Sequence, residues 1–176
     1  KKYPEVLIHN RSSENSSDTA STDRTILEVI EDLGKHWNLE SMQIGIYQAT
    51  SPFVEVETIN ECFKNAERGN VGFSAMTNHA FVWEKQEKWL PVNHPANFRP
   101  RRQELTPKVV ETGAIYCFPL KKFISLKYRF CAEVIPVLVE PIYAIALTDS
   151  NHPLALDTTS PLHTDFTPLL WNRIYR

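Results

Sequence analysis

A cluster of arginines precedes a short apolar run in the segment RPRRQ, residues 99 to 103. Arg99, Arg101 and Arg102 carry planar guanidinium groups, which bind carboxylates and phosphates through two parallel hydrogen bonds. Gln103 adds two donors and an acceptor. The alternative is a solvated cluster on a surface loop, and the loop alone favours that alternative. The neighbouring glutamine and the strand predicted after it favour an anion site.

A second candidate is the glutamine in the segment QATS, residues 48 to 51. The amide of Gln48 suits a nucleobase edge or sugar hydroxyls. It follows a predicted strand, and open α/β sheets bind ligands beyond the carboxyl ends of their strands. The alternative is a glutamine that ties down its own loop, and the residues alone do not decide between the two.

The segment SDTAST, residues 17 to 22, precedes a predicted helix. Ser21, Thr22 and Asp23 can each accept a hydrogen bond from the free amides of the first helical turn, and helix capping is the favoured role. The alternative is that hydroxyls and amides at this helix start hold a ribose, a base or a phosphate. Adjacent residues can fill both roles.

One acidic residue near the C-terminus, Asp157 in LALDTTSP, is a candidate ligand for a hard cation. Mg²⁺ is commonly held by one or two carboxylates together with substrate phosphates. A single carboxylate is weak evidence by itself. The six histidines are scattered without a metal-binding spacing, so most are predicted to be structural or solvated.

Composition restricts the class of protein. The 176 residues suggest one domain, residues 1–176. A net charge of −2 gives no overall field that attracts nucleic acid or an acidic membrane, and no apolar run is long enough to span a bilayer.

The three cysteines, Cys62, Cys117 and Cys131, fit neither a disulfide framework nor a zinc site, which predicts reduced thiols and a cytoplasmic location. Only five glycines are present, and they exclude a glycine-rich phosphate loop within this sequence.

Strands and helices are predicted to alternate along the chain. Apolar residues at helical spacing indicate a helix with Ile26, Ile30, Leu33 and Trp37 on one face, and a second helix over residues 55–68. Strands are predicted at residues 5–8, 42–47, 71–76, 113–120 and 133–139, with a hairpin at 81–91. This alternation indicates an α/β sheet with a parallel centre. A long connection covers residues 93–108, and long ordered loops are often functional.

Taken in order, these segments resemble the acylneuraminate cytidylyltransferases, the CMP-sialic acid synthetases and their relatives. DTAST is similar to the family's D-T-A-S, and QATSPFVEVETINECF is similar to its Q-P-T-S-P-L and the D-I-N-E-A helix. RRQELTPKVVETGAIY is similar to R-R-Q-D-L-P and N-G-A-I-Y, and LALDTTSP to D-I-D-T-P-E-D. The resemblance runs from the first residues to about Leu162, and the RRQ–GAIY pair with QATSP upstream is its most specific part.

The resemblance implies a Rossmann-like nucleotide-diphospho-sugar transferase fold, with three layers and a mixed, mostly parallel sheet. It implies that a nonulosonic acid attacks the α-phosphate of CTP in the presence of Mg²⁺, which releases pyrophosphate and forms a CMP-sugar. Residue by residue, it implies catalytic roles for Arg102 and Gln103, substrate contacts from Gln48, Arg101, Arg102, Thr19 and Ser21, and a Mg²⁺ ligand in Asp157.

The sequence departs from the family pattern at four places. The family's first strand and its R-x-G-S-K-x-I-P-x-K-N phosphate loop are absent, so an N-terminally incomplete domain is predicted. Ala155 stands where the first metal aspartate is expected, Thr112 replaces an asparagine, and residues 121–153 match poorly. Ala155 and the absent phosphate loop favour the alternative of a catalytically inactive binding or assembly module.

The family's dimers suggest a homodimer here, with the hairpin and loop at residues 80–108 as the predicted contact. Loss of the first strand would also expose the edges of its neighbours, and exposed edges invite association. The chain alone is therefore expected to be unstable or oligomeric unless the missing part is supplied.

Overall fold

A computed structural model describes residues 7–17 and 19–144 of the chain. It contains mixed α/β structure. The helices are α1 (Thr22–Leu33), α2 (Val56–Glu67) and α3 (Leu120–Leu126). The strands are β1 (Gln43–Tyr47), β2 (Val71–Asn78), β3 (Trp83–Lys85), β4 (Trp89–Pro91), β5 (Lys108–Pro119) and β6 (Val134–Leu138). Short 3₁₀ turns cover Gly34–His36, Arg102–Glu104 and Pro141–Ala144.

Helix starts and ends follow the predicted local chemistry. Ser21 caps α1, since its Oγ accepts a hydrogen bond from the backbone N–H of Arg24 at 3.3 Å. Gly69 follows α2 with a positive φ of 86° and donates its N–H to the carbonyl of Ala66. A positive φ at this position is the usual way in which glycine ends a helix.

Two element predictions need correction. The strand predicted at residues 5–8 is not formed at Leu7 and Ile8, which are 70% and 75% exposed; the two residues before them lie outside the described part. Helix α3 was not predicted. It is only seven residues long, and burial of Leu120 and Phe123 stabilises it. Short helices depend on such packing more than on their own propensity.

A four-stranded sheet has the order β1-β5-β2-β6, and β3 pairs with β4 in a separate two-stranded sheet. Strands β1 and β5 are antiparallel. Gln48 donates its N–H to the carbonyl of Ala114, and Leu120 donates its N–H to the carbonyl of Met42. Residue numbers therefore rise along one strand in the direction in which they fall along the other. The predicted parallel centre is therefore wrong for β5 against β1.

Strands β2 and β6 run in the same direction. Val71 donates its N–H to the carbonyl of Glu133, and four residues further along, Val139 donates to Ala75. The sheet is therefore mixed, which confirms an α/β fold with a mixed sheet. The Rossmann-like, three-layer arrangement stays a prediction.

The chain divides into two compact units whose boundaries fall within four strands of the sheet and within helix α2. Unit 1 contains the described residues up to 46 together with 62–72 and 116–135, and unit 2 contains 47–61, 73–115 and 136–144. In unit 1, fully buried Cys62, Val71, Phe118 and Phe123 are part of the core. Gly72 has no room for a side chain, because a Cβ there would lie 2.5 Å from the carbonyl oxygen of Cys62.

The core of unit 2 contains a buried pair of hydroxyls. Ser74 Oγ and Thr112 Oγ1 are 2.6 Å apart, and Ile115 donates its N–H to Ser74 Oγ at 3.2 Å. Gly113, beside Thr112, has a positive φ of 76°, which glycine adopts at little cost and other residues avoid. Thr112 stands at the position where the resemblance expects asparagine. Its side chain therefore forms a hydrogen bond with Ser74 next to the irregular backbone of β5 at Gly113.

All three cysteines are buried and free, as the sequence predicted. A hydrogen bond with the Cys62 thiol, together with burial, raises the pKa of Cys117. Burial also raises the pKa of Cys131. Among the described residues, none of the helices has the length and apolar character that a membrane crossing requires.

Candidate functional site

Unit 2 contains a cavity of about 420 Å³ lined by His79, Arg102 and Gln103. We call this cavity the arginine pocket. Among the described residues that line it, Arg102 and Gln103 are the pair that the sequence singled out from the RPRRQ segment. His79 was not selected by sequence reasoning.

A single 3₁₀ turn, Arg102–Glu104, presents the two predicted residues. At its start, the Glu104 carboxylate accepts the backbone N–H of Arg101 at 3.0 Å. At its end, Leu105 is buried, with 6% of its surface exposed. The turn is therefore fixed at both ends, while Arg102 and Gln103 themselves are exposed.

Upstream of the turn, aromatic contacts attach the loop to the hairpin segment. The Arg99 guanidinium lies 4.0 Å from the centre of the Phe81 ring, within the range of a cation–π contact. The His94 ring meets both Phe81 and Trp83 edge-on, at centroid distances of 5.0 Å. Arg99 therefore has a structural contact of its own.

Two asparagines hold the chain around His79. The Asn78 side chain accepts the N–H of Ala80 at 2.8 Å. The Asn93 side chain donates to the carbonyl of Ala80 and accepts the N–H of Val82, both at 2.8 Å. The segment just after β2 is thereby fixed, and His79 is half-buried within it.

The polar groups of the arginine pocket are not used elsewhere in the described structure. Within residues 7–17 and 19–144, the side chains of His79, Arg102 and Gln103 form no hydrogen bond or ion pair. Guanidinium, amide and imidazole groups together can bind a carboxylate or phosphate and an adjacent hydroxyl. Arg101 is exposed and does not belong to this lining.

Gln48 follows β1 in unit 2 and is half-buried. Its backbone makes the turn, because its N–H donates to Ala114 and its carbonyl accepts the N–H of Ser51, both at 2.9 Å. Its side chain makes no hydrogen bond within the part of the chain that is described. The loop is therefore held by the backbone of Gln48 and not by its amide.

Thr19 and Ser21 lie in unit 1, and both are exposed. Ser21 is the cap of α1, which confirms the capping role. Thr19 Oγ1 lies 3.4 Å from Ser17 Oγ. Their roles in binding a substrate stay predictions. Asp157 and Ala155 lie outside the described residues, so the Mg²⁺ site also stays a prediction.

His79 is the residue that sequence reasoning missed. It stands just beyond the carboxyl end of β2. The same rule that selected Gln48, ligand binding beyond strand ends, would have selected it. It was overlooked because a lone histidine is more often structural, and only the tertiary structure shows which loop faces it.

No family model matches the chain, but several curated proteins are similar to it, among them two proteins of Danio rerio. The chain is 32% identical to N-acylneuraminate cytidylyltransferase B of Danio rerio over 117 residues, which cover 62% of this chain and 26% of that protein. It is 29% identical to N-acylneuraminate cytidylyltransferase A of Danio rerio over 125 residues, which cover 67% of this chain and 28% of the relative. The chain thus spans about a quarter of the length of these curated relatives, and over that span it is similar to two N-acylneuraminate cytidylyltransferases.

Proposed function

We propose that this chain belongs to a cytidylyltransferase that transfers CMP from CTP to a sialic-acid-like nonulosonic acid. Its similarity to the two N-acylneuraminate cytidylyltransferases supports the reaction class. The observation that carries the proposal is the arginine pocket of about 420 Å³, which Arg102, Gln103 and His79 line. The side chains of these residues form no hydrogen bond or ion pair with the described residues.

In the proposed reaction, the anomeric hydroxyl of the sugar attacks the α-phosphorus of CTP. A new P–O bond forms, the bond to the β-phosphate oxygen breaks, pyrophosphate leaves, and the hydroxyl proton passes to solvent or a base. Phosphoryl transfer of this kind depends chiefly on positioning and charge stabilisation. The guanidinium of Arg102 would bind the sugar carboxylate through two parallel bonds, and Gln103 would hold a neighbouring hydroxyl or carbonyl.

The remaining predicted residues have supporting roles in the proposal. Gln48, whose amide is unused in the described structure, would contact the sugar or the nucleotide. Thr19 and Ser21 would lie near the cytidine, and the Ser21 hydroxyl can still donate while its oxygen caps α1. Asp157 would hold Mg²⁺, which supplies charge neutralisation for the phosphates when it is bound.

The direct test is an assay of pyrophosphate release with CTP, Mg²⁺ and a panel of nonulosonic acids. We expect release that depends on both the acid and CTP, and a neutral analogue without the carboxylate should be a poor substrate. Folded protein that releases no pyrophosphate with any acid would exclude the enzymatic proposal.

Ala155 favours a second candidate function, that of a catalytically inactive binding or assembly module. Such a module would still bind the acid sugar at the arginine pocket. Calorimetric binding of sugar or CTP without turnover would support it, whereas turnover would exclude it.

We also propose that residues 80–108 contact a second copy of the chain. The hairpin of this segment exposes two large aromatic side chains, Trp83 at 50% and Trp89 at 62% of their surface. Sedimentation velocity should show a dimer that Trp89→Glu converts to monomer. A wild-type monomer at high concentration would disprove this contact.

A further inference from the structure

Unit 1 contains a compact cluster of His9, Glu28 and Asp32, whose potential ligand atoms all lie within 4.8 Å of one another. We call it the His9 cluster. His9 precedes α1 in the sequence, and the two carboxylates come from neighbouring turns of that helix, at positions i and i+4. The helix therefore presents both acids on one face, where they meet the histidine.

Glu28 is fully engaged within this cluster. It accepts hydrogen bonds from the backbone N–H and the Oγ of Ser12, both at 2.7 Å, and from the side-chain amide of Asn15. These bonds, that of Asn15 first, lower the pKa of Glu28 to about 2. Glu28 Oε1 also lies 3.0 Å from His9 Nε2. Held by Ser12 and Asn15, the carboxylate orients the imidazole of His9.

The other ring nitrogen of His9 faces a second acid. Nδ1 lies 3.6 Å from Asp32 Oδ2, which is longer than a normal hydrogen bond. If Nε2–H donates to Glu28, Nδ1 of the neutral ring is an acceptor that faces another acceptor. A cation between the two atoms could bind to both. Two ligands of a tetrahedral metal, each at about 2.0–2.2 Å from it, are separated by about 3.4 Å.

A separate observation also favours a bound cation. Asn15 is only 8% exposed, and its Oδ1 is buried without a hydrogen-bond partner in the described structure. Its Nδ2 donates to Glu28, so the amide group lies at the cluster with its oxygen unsatisfied. A buried acceptor without a donor is costly. A bound cation would satisfy it.

We propose that His9 Nδ1, Asp32 Oδ2 and Asn15 Oδ1 bind a divalent transition-metal ion such as Zn²⁺, with Glu28 holding His9 from behind. A carboxylate that accepts the second ring N–H of a metal-bound histidine is the usual arrangement of such sites. The imidazole ligand favours Zn²⁺ over Mg²⁺, which prefers an all-oxygen shell. Asp32 is 60% exposed, so ions can enter and water can complete the coordination.

The role of this ion is structural and does not depend on the proposed enzymatic function. It joins the segment that contains His9 and Asn15 to the middle of α1. That segment leads directly to the Ser21 cap, so the ion fixes the entry to the helix.

The test is calorimetric titration of the chelator-treated full chain with Zn²⁺. We expect one site that Asp32→Asn weakens at least tenfold. The matched control is Glu31→Gln, which removes the same charge from the adjacent exposed position outside the cluster. The control should bind Zn²⁺ as the wild type does. Equal losses in both variants, or no Zn²⁺ binding, would overturn the proposal.

A spectroscopic readout separates this site from binding at other histidines. In ¹⁵N-detected NMR of the imidazole groups, Zn²⁺ should shift Nδ1 of His9 at one equivalent, and Mg²⁺ should not. Zinc binding that leaves the His9 signals unchanged would contradict the assignment even where the calorimetric site is present.

Discussion

The arginine pocket of unit 2 and the His9 cluster of unit 1 both bring polar and charged side chains together, but they differ in how those side chains are used. In the His9 cluster, the Glu28 carboxylate makes four hydrogen bonds, which involve His9, Ser12 and Asn15. In the arginine pocket, the side chains of Arg102 and Gln103 form no hydrogen bond or ion pair with the described residues. Engaged charges hold a chain in place, whereas donors left open on a fixed turn are available to a ligand.

The two sites differ in which groups hold the chain in place. Around Arg102, the Glu104 carboxylate, the buried Leu105 and the Arg99–Phe81 contact hold the backbone, and none of them uses the pocket side chains. Around Glu28, the functional groups themselves make the contacts. Changes in the pocket should therefore alter binding with little effect on stability, and changes at Glu28 should do the reverse.

The largest effect is expected for Arg102→Ala. Loss of a charge-assisted bond of about 1.5–3 kcal/mol should raise the KM for the acid sugar roughly 10- to 150-fold, with little change in the KM for CTP. Arg101→Ala, which removes an exposed arginine outside the pocket lining, should have a much smaller effect. Steady-state kinetics with both substrates measures this. Equal effects of the two variants, or equal effects on both substrates, would remove the role assigned to Arg102.

Glu28→Gln should lower the thermal unfolding midpoint and leave sugar binding intact. The substitution removes the charge and sets an amide donor against the donors of Ser12 and Asn15. Melting curves recorded with a chelator present isolate this effect from metal binding. Glu31→Gln on the same helix should melt like the wild type, and a matching loss there would show that helix charge, not the cluster, is responsible.

The free energy of unfolding should decrease at acid pH because Glu28 becomes protonated. Its pKa is about 2 in the folded protein against 4.5 ordinarily, so the folded state favours the ionised form. The stabilisation is fully present above pH 4.5 and is lost as the pH falls towards 2. Denaturant unfolding with chelator should therefore show a steeper acid loss in the wild type than in Glu28→Gln. Parallel curves would mean that the carboxylate is not held as described.

The smallest effect is expected for Arg99→Ala. An exposed cation–π contact contributes about 0.5–1 kcal/mol, so stability should fall by about this amount. A slight rise in the KM for the sugar should follow as the loop loosens. Arg99→Lys should recover part of both. A KM effect as large as that of Arg102→Ala would mean that Arg99 itself reaches the ligand.

Local chemistry made some features predictable. The cap at Ser21 and the glycine end of α2 follow from residue types that satisfy free backbone groups, and both were found. The hairpin was also predicted, and its register pairs Trp83 with Pro91 and Lys85 with Trp89. Helix α3 and the direction of β5 against β1 were missed, because packing and strand pairing set them and the local sequence does not.

The sequence by itself determined the order of most elements and the two polar residues of the pocket, Arg102 and Gln103. These depend on neighbours along the chain: apolar periodicity, capping groups and a proline-rich arginine segment. Only the tertiary structure decided that His79 joins them and that His9 meets the acids of α1. Residues 23 or 19 positions apart become neighbours only when strands and helices pack, and no local pattern encodes which distant side chain will face a given loop.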